Sequence, residues 1–191
     1  MNRPKFGSTA GGACVALLLV TSPLGSAQPR YTEWSMPVAT VGGGCPIESR
    51  NKHWLYTASG SAGTLDVWTY RRSGKVIESV FSDRTRADAP VSLDTADDFC
   101  PTPLEGYWLM FVSDRDAPGA CGATDIYLTR YRPQPPKAIG EAMKLGCAPD
   151  GPNTSGTELS PAVVKTREGT FLYFSSDVDG DQDIYRSTML P

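Results

Sequence analysis

Three short apolar runs, each closed by a serine, punctuate the chain: Leu55-Tyr56-Thr57-Ala58-Ser59, Leu109-Met110-Phe111-Val112-Ser113 and Leu172-Tyr173-Phe174-Ser175-Ser176. Runs of this length, rich in aromatic residues and bounded by polar turns, predict strands rather than helices. A second marker follows each run: Asp66-Val67-Trp68, Asp125-Ile126-Tyr127 and Asp183-Ile184-Tyr185, an aspartate, a β-branched residue and an aromatic. Ahead of the runs stand Cys45-Pro46, Cys100-Pro101 and Ser160-Pro161. Proline fixes φ and lacks an amide proton, which suits the beginning of a strand. The polar turns Arg50-Asn51-Lys52, Glu105-Gly106 and Glu168-Gly169 separate the proline pair from the apolar run. Turns rich in glycine and aspartate then lead into the aspartate marker, which is hairpin chemistry. No stretch after residue 27 carries a sustained helical period with caps. The pattern predicts an all-β chain of antiparallel strands.

The three markers recur in one order, and the aspartates lie 59 and then 58 residues apart. This divides the chain into units of about 34–85, 86–138 and 139–191. Units of this size cannot bury their faces alone, and a constant period points to sheets repeated around an axis. A sandwich of two sheets is the alternative, but it supplies no reason for the period.

Leu172 to Tyr185 (LYFSSDVDGDQDIY) and Leu109 to Tyr127 (LMFVSDRDAPGACGATDIY) resemble the TolB-type, WD-like β-propeller repeat. The first unit keeps the order but drifts, with Ser59-Gly60-Ser61 in place of Ser-Asp-Arg and Asp66-Val67-Trp68 in place of Asp-Ile-Tyr. The resemblance implies four-stranded antiparallel blades. The proline-led strand would be innermost, the apolar run second, the aspartate strand third, and the following linker outermost. Trp34-Ser35-Met36-Pro37 is similar to such an outer strand with no inner strands before it. About three blades are present, so the resemblance implies a partial propeller, the N-terminal half of a six-bladed TolB-like ring left by truncation or gene decay. A homodimer completing the ring as three plus three is the competing expectation.

The N-terminus predicts export. Arg3 and Lys5 precede an apolar run from Ala13 to Val20, then Pro23 and the small residues Gly25, Ser26 and Ala27. This is the layout of a signal peptide over 1–27, with cleavage after Ala27. The apolar run falls short of the roughly 20 residues that cross a bilayer, so no membrane span is expected. Without Arg3 and Lys5 the formal charge of −3 becomes −5. An acidic chain with no basic block has no grip on phosphate backbones, which removes nucleic acid from the partners. The expected location is periplasmic or extracellular.

Beyond residue 27 stand Cys45, Cys100, Cys121 and Cys147. An even number in an oxidising compartment allows two disulfides and three pairings. The spacing is not that of a zinc site. The strand order that the resemblance implies favours Cys45–Cys100 and Cys121–Cys147.

Candidate chemistry is sparse. Asp177, Asp179, Asp181 and Asp183 alternate around Gly180, an arrangement that can offer oxygen ligands to calcium. The glycine and glutamate that an EF-hand loop needs are here Gln182 and Thr188, and a plain hairpin turn explains the string equally. Calcium is the one cofactor considered. Asp66, Asp125 and Asp183 are expected to accept hydrogen bonds from amides of the preceding turn, as Asx-turns do. Ser59, Ser113 and Ser176 are read as structural markers of the repeat. His53, the single histidine, aligns with Tyr107 and Thr170 and is read as a packing position. No Gly-x-Ser-x-Gly elbow and no Ser-x-Asp-x-Gly string occurs. Trp34, Trp54, Trp68 and Trp108 fall within repeats, where packing between sheets or a surface for sugar stacking are the alternatives. Together these features lead to an exported, non-enzymatic module for protein or glycan binding or scaffolding. The alternative is the N-terminal propeller fragment of a peptidase or glycosidase.

Overall fold

A computed structural model describes residues 44–74, 80–116, 118–134 and 136–189. The signal peptide expected at 1–27 and the strand-like Trp34–Pro37 lie outside the described residues.

Among the described residues the fold is all-β, with three antiparallel sheets in which neighbours in sequence are neighbours in space. The first sheet comprises β1 (Gly44–Glu48), β2 (Trp54–Ser59), β3 (Asp66–Ser73) and β4 (Val80–Arg86). The second comprises β5 (Asp98–Pro103), β6 (Trp108–Ser113), β7 (Asp125–Pro133) and β8 (Pro136–Lys144). Among the described residues the third holds three strands, β9 (Leu159–Lys165), β10 (Thr170–Ser176) and β11 (Asp183–Met189), with β11 at its edge. The apolar runs are the second strand of each sheet, and the aspartate markers open the third strands.

Packing explains why the runs differ in pattern. Tyr56 and Val67 of the first sheet meet Leu109, Phe111, Tyr127 and Tyr131 of the second in one core cluster. Met110, Val112 and Ile126, on the other face of the second sheet, meet Leu172 and Phe174 of the third. The second sheet is therefore covered on both sides, and β6 reads as an almost unbroken apolar run buried from Leu109 to Ser113. Strand β10 is covered on one side only, so buried and half-buried positions alternate along it. Complete burial of a side chain such as Phe111, Met110 or Ile126 stabilises the fold by roughly 1.5–3 kcal/mol each.

The third sheet stops where this succession stops. Val67 and Ile126 are 0% exposed, whereas Ile184 at the same repeat position is 76% exposed. In the first two sheets the backbone at this position is also closed off. Val67 N–H donates to Ser92 Oγ at 3.0 Å, and Ile126 N–H donates to Asn153 Oδ1 at 2.7 Å. Their carbonyls accept from Ala87 at 2.8 Å and Leu145 at 2.9 Å.

The proline pairs lie inside the first strands rather than at their start. Register shifts fall across Cys45-Pro46, Cys100-Pro101 and Ser160-Pro161, where one extra residue bulges from each strand. Cys45, Cys100 and Ser160 adopt left-handed backbone at φ 48°, 46° and 51°. That conformation costs a non-glycine residue about 1–2 kcal/mol. Its repetition at one position in all three sheets marks it as part of the design of the unit.

Two disulfides tie the sheets. Cys45–Cys100 joins the bulges of β1 and β5, with Cα atoms 4.8 Å apart. Cys121–Cys147 joins the β6–β7 connection to the segment after β8, with Cα atoms 5.6 Å apart. At the third bulge Ser160 replaces cysteine, and its Oγ lies 3.7 Å from Cys100 Sγ. Two disulfides fit an oxidising compartment. Among the described residues, no helix is long and apolar enough to cross a membrane.

Candidate functional site

The turns between first and second strands project from one end of the first two sheets and enclose a cleft of about 380 Å³. Trp54 and Trp108 open β2 and β6 immediately after these turns, so the repeat itself places an indole on each side. Tyr56, Tyr107, Tyr131 and Leu104 complete the apolar wall. Across the mouth, Arg50 of one turn pairs with Glu105 of the other, both side chains largely exposed.

The two turns are held differently. In the first, Ser49 Oγ donates to Asn51 Oδ1 at 2.7 Å and accepts from Trp54 N–H at 3.1 Å. Asn51 Oδ1 also accepts from His53 N–H at 3.0 Å. In the second, Gly106 and Tyr107 both take left-handed backbone, φ 71° and 64°. Glycine does so freely, but a bulky aromatic does not. The strained Tyr107 carries its ring into solvent, 53% exposed, at the edge of the cleft. Arg132 lies 5.7 Å from that ring and Arg130 lies 5.6 Å from the Trp108 ring. Deeper in, the Tyr131 hydroxyl is buried beside Thr69 without a hydrogen bond of ordinary geometry. Burial pushes the phenols of Tyr56 and Tyr131 well above the usual tyrosine value.

Such a cleft has the chemistry of a binding surface. Its walls offer flat aromatic faces, a few hydroxyl and amide groups and one ion pair, with no thiol, imidazole or carboxylate pair among the lining residues. The sequence flagged Trp54 and Trp108 individually but gave no reason to place them opposite each other. Tyr107 was legible only as the repeat mate of His53, which is exposed at the end of the first turn.

The other sequence-derived residues serve elsewhere. Asp125 does accept from the preceding turn, with Oδ2 3.0 Å from Cys121 N. Asp66 instead pairs at 2.7 Å with Arg86 of β4, which stands opposite Trp68 and reaches Asp66 with its long side chain. Asp183 opens β11 as an exposed residue. Ser113 Oγ accepts from Arg115 N–H at 3.2 Å and Ser176 Oγ from Val178 N–H at 3.3 Å, the same local turn in both sheets. Ser59 meets Arg84 at 3.2 Å. The four aspartates considered for calcium do not converge. Asp177 Oδ1 accepts from Thr157 N–H at 2.5 Å, and Asp179 Oδ2 accepts from the Tyr185 hydroxyl at 2.8 Å. No group of three such ligands stands together among the described residues. The hairpin splays the side chains apart.

One polar centre escaped the sequence reading. Asp98, completely buried, pairs with Arg115 at 2.5 Å. Arg115 Nε also donates to Ser113 Oγ at 2.9 Å, and its terminal nitrogens donate to the carbonyls of Pro90 at 2.9 Å and Val91 at 3.1 Å. Burial pushes the Asp98 carboxyl up from the ordinary value. The Ser113 hydroxyl, the Arg115 guanidinium and the Leu93 amide pull the other way. The acidic residue two places before the second and third Cys/Ser-Pro pairs, Asp98 and Glu158, was the signal available in the sequence.

No family model, curated protein or solved structure matches the chain.

Proposed function

We propose that this chain is an exported, non-enzymatic binding module whose three sheets are blades of a TolB-like propeller. Its protein or glycan ligand would lie in the aromatic cleft between the first two sheets. The cleft is the observation that carries this reading, because Trp54, Tyr107 and Trp108 present flat apolar faces at a solvent-open edge. The meander order of each sheet and the stacking of one sheet's face on the next support the propeller assignment. The test is an array of glycans and of peptides probed with the chain from residue 28. Binding must fall at least about tenfold in both Tyr107→Ala and Trp108→Ala. Hits that survive both substitutions refute the assignment to this cleft.

The exposed Ile184 supports a second element of the reading. Its repeat mates are covered by the next sheet of the same chain, so a second copy supplying another sheet would complete the succession. Sedimentation velocity with wild type and Ile184→Asp checks it: dimers that dissociate in the variant are expected. A wild type that stays monomeric at about 100 µM refutes it.

A further inference from the structure

The connections after β6 and β10 differ in length but open alike, Ser113-Asp114-Arg115 in one and Ser176-Asp177-Val178 in the other, with valine in the place of arginine. In the second sheet the Arg115 guanidinium lies 5.0 Å from the Phe111 ring and 4.7 Å from the Tyr127 ring. It is held by the Pro90 and Val91 carbonyls and by the buried carboxylate of Asp98.

The third sheet rebuilds the surroundings of that guanidinium. Phe174 and Tyr185 stack at 5.9 Å and 24°, as Phe111 and Tyr127 do at 5.7 Å and 23°. Gly151-Pro152 takes the place of Pro90-Val91, each pair preceding the residue, Asn153 or Ser92, whose side chain holds the amide of Ile126 or Val67. Glu158 takes the place of Asp98 and is equally buried, at 0% exposure. Only the cation is not rebuilt. Val178 replaces arginine, and a cavity of about 740 Å³ opens among Gly151, Pro152, Thr154, Phe174, Val178 and Tyr185. Glu158 lies next to the Thr154 wall. Its Oε1 accepts from Thr154 Oγ1 at 2.5 Å and Ser176 Oγ at 2.8 Å. Its Oε2 is buried with no hydrogen-bond partner among the described residues. A buried carboxylate requires a compensating donor, and the matching centre in this chain has one. Arg186 also borders the cavity, but its guanidinium lies 4.9 Å from the Phe171 ring.

We propose that this cavity is a guanidinium-binding site, taking the side chain of arginine against Phe174 and Tyr185 with Glu158 as counter-ion. A buried carboxylate beside a stacked aromatic pair is the combination the chain already uses for Arg115. The planar guanidinium fits them better than an ammonium, because it stacks on aromatic faces and donates in several in-plane directions at once. The site belongs to the third sheet and is independent of the aromatic cleft, so either can fail alone.

The test is calorimetric titration of the chain from residue 28 with N-acetyl-L-argininamide. N-acetyl-L-citrullinamide, nearly isosteric but neutral, serves as control. The arginine compound should bind, and the citrulline compound should bind at least about tenfold more weakly. Val178→Arg supplies the guanidinium from within the chain. It should raise the melting temperature and lower affinity for the arginine compound at least about tenfold. Glu158→Gln should weaken binding by a similar factor. If Glu158→Gln fails to fold, Val178→Arg decides alone. Equal binding of the citrulline compound, no binding of the arginine compound, or unchanged binding by Val178→Arg each overturns the proposal. Free L-arginine as a further titrant separates the source. Binding as tight as the amide assigns the site to the amino acid and weaker binding to arginine within a polypeptide, and both support recognition of guanidinium.

Discussion

Replacing Arg115 by methionine should destabilise the fold more than any single change at the surface. Methionine keeps much of the aliphatic stem but removes the charged group that lies over Phe111 and Tyr127 and faces Asp98. Asp98 is fully buried, and only the Leu93 amide at 2.8 Å and the Ser113 hydroxyl remain to it. Breaking a buried pair on one side costs about 3–5 kcal/mol, because the surviving charge is left without compensation. Domains of this size are stable by about 5–15 kcal/mol, so the loss is a large share of the total. Urea unfolding at pH 7, extrapolated to water, measures it. The pH dependence adds a sign. Burial already raises the Asp98 carboxyl, and without Arg115 one of the opposing influences is gone, so it moves further up. A carboxyl raised in the folded state binds its proton more tightly there. Its contribution is therefore complete below the unfolded value near 4 and is lost as pH climbs through the folded value. The deficit of Arg115→Met should shrink as the solution is acidified toward pH 4. The double variant Asp98→Asn, Arg115→Met should be less destabilised at pH 7 than the single one. A loss under about 1 kcal/mol at pH 7, or a deficit independent of pH, refutes this account of the pair.

Other consequences can be checked in the same assays. Ile126→Ala should cost about 2–5 kcal/mol and Ile184→Ala within about 0.5 kcal/mol, despite their identical place in the repeat, because only the first is buried. Equal losses in urea would refute that contrast. Tyr56 and Tyr131 should stay protonated past the ordinary tyrosine value near 10, since burial disfavours the phenolate. Their stabilising contribution is present below pH 10 and disappears as pH rises further. Absorbance at 295 nm should show them ionising only with unfolding, and a smooth titration of all eight tyrosines near pH 10 would contradict it. Removing the Cys45–Cys100 bridge should cost more than removing Cys121–Cys147. Their sequence separations of 55 and 26 give about 4 and about 3.5 kcal/mol from loop entropy. Cysteine-to-serine pairs compared by urea unfolding decide the order.

Strand identity was written in local pattern, and Leu109 to Ser113 or Asp125 to Tyr127 could be assigned from the run of side chains alone. What pattern could not convey was which runs would be covered on two sides. The continuous burial of β6 and the alternation of β10 arise from the neighbours of each sheet, not from its own residues. The proline pairs were placed at strand starts because proline lacks a donor. The chain uses the same property one or two residues into each strand, at a bulge whose left-handed backbone no propensity of Cys or Ser announces. Asp66 was expected to serve its own turn, but a long-range neighbour, Arg86, took it. The aromatic cleft and the Asp98–Arg115 pair both join residues from separate turns or strands, so spacing along the chain did not show which residues would meet. The acid two positions ahead of each later proline pair was the one local mark of the buried carboxylates.

The first strands β1, β5 and β9 lie side by side, each at the free margin of its own sheet. Unprotected margins facing one another would tend to zip together. Pro46, Pro101 and Pro161 each withhold a donor at this seam, and the bulges turn the surrounding backbone out of line. The seam therefore stays unlaced, held by a sulfur bridge at one crossing and by the Ser160 hydroxyl against a sulfur of that bridge at the next. Three small sheets keep their separate twists instead of merging into one broad ribbon, and the same stitches that prevent fusion within a molecule deny neighbouring molecules a template for stacking.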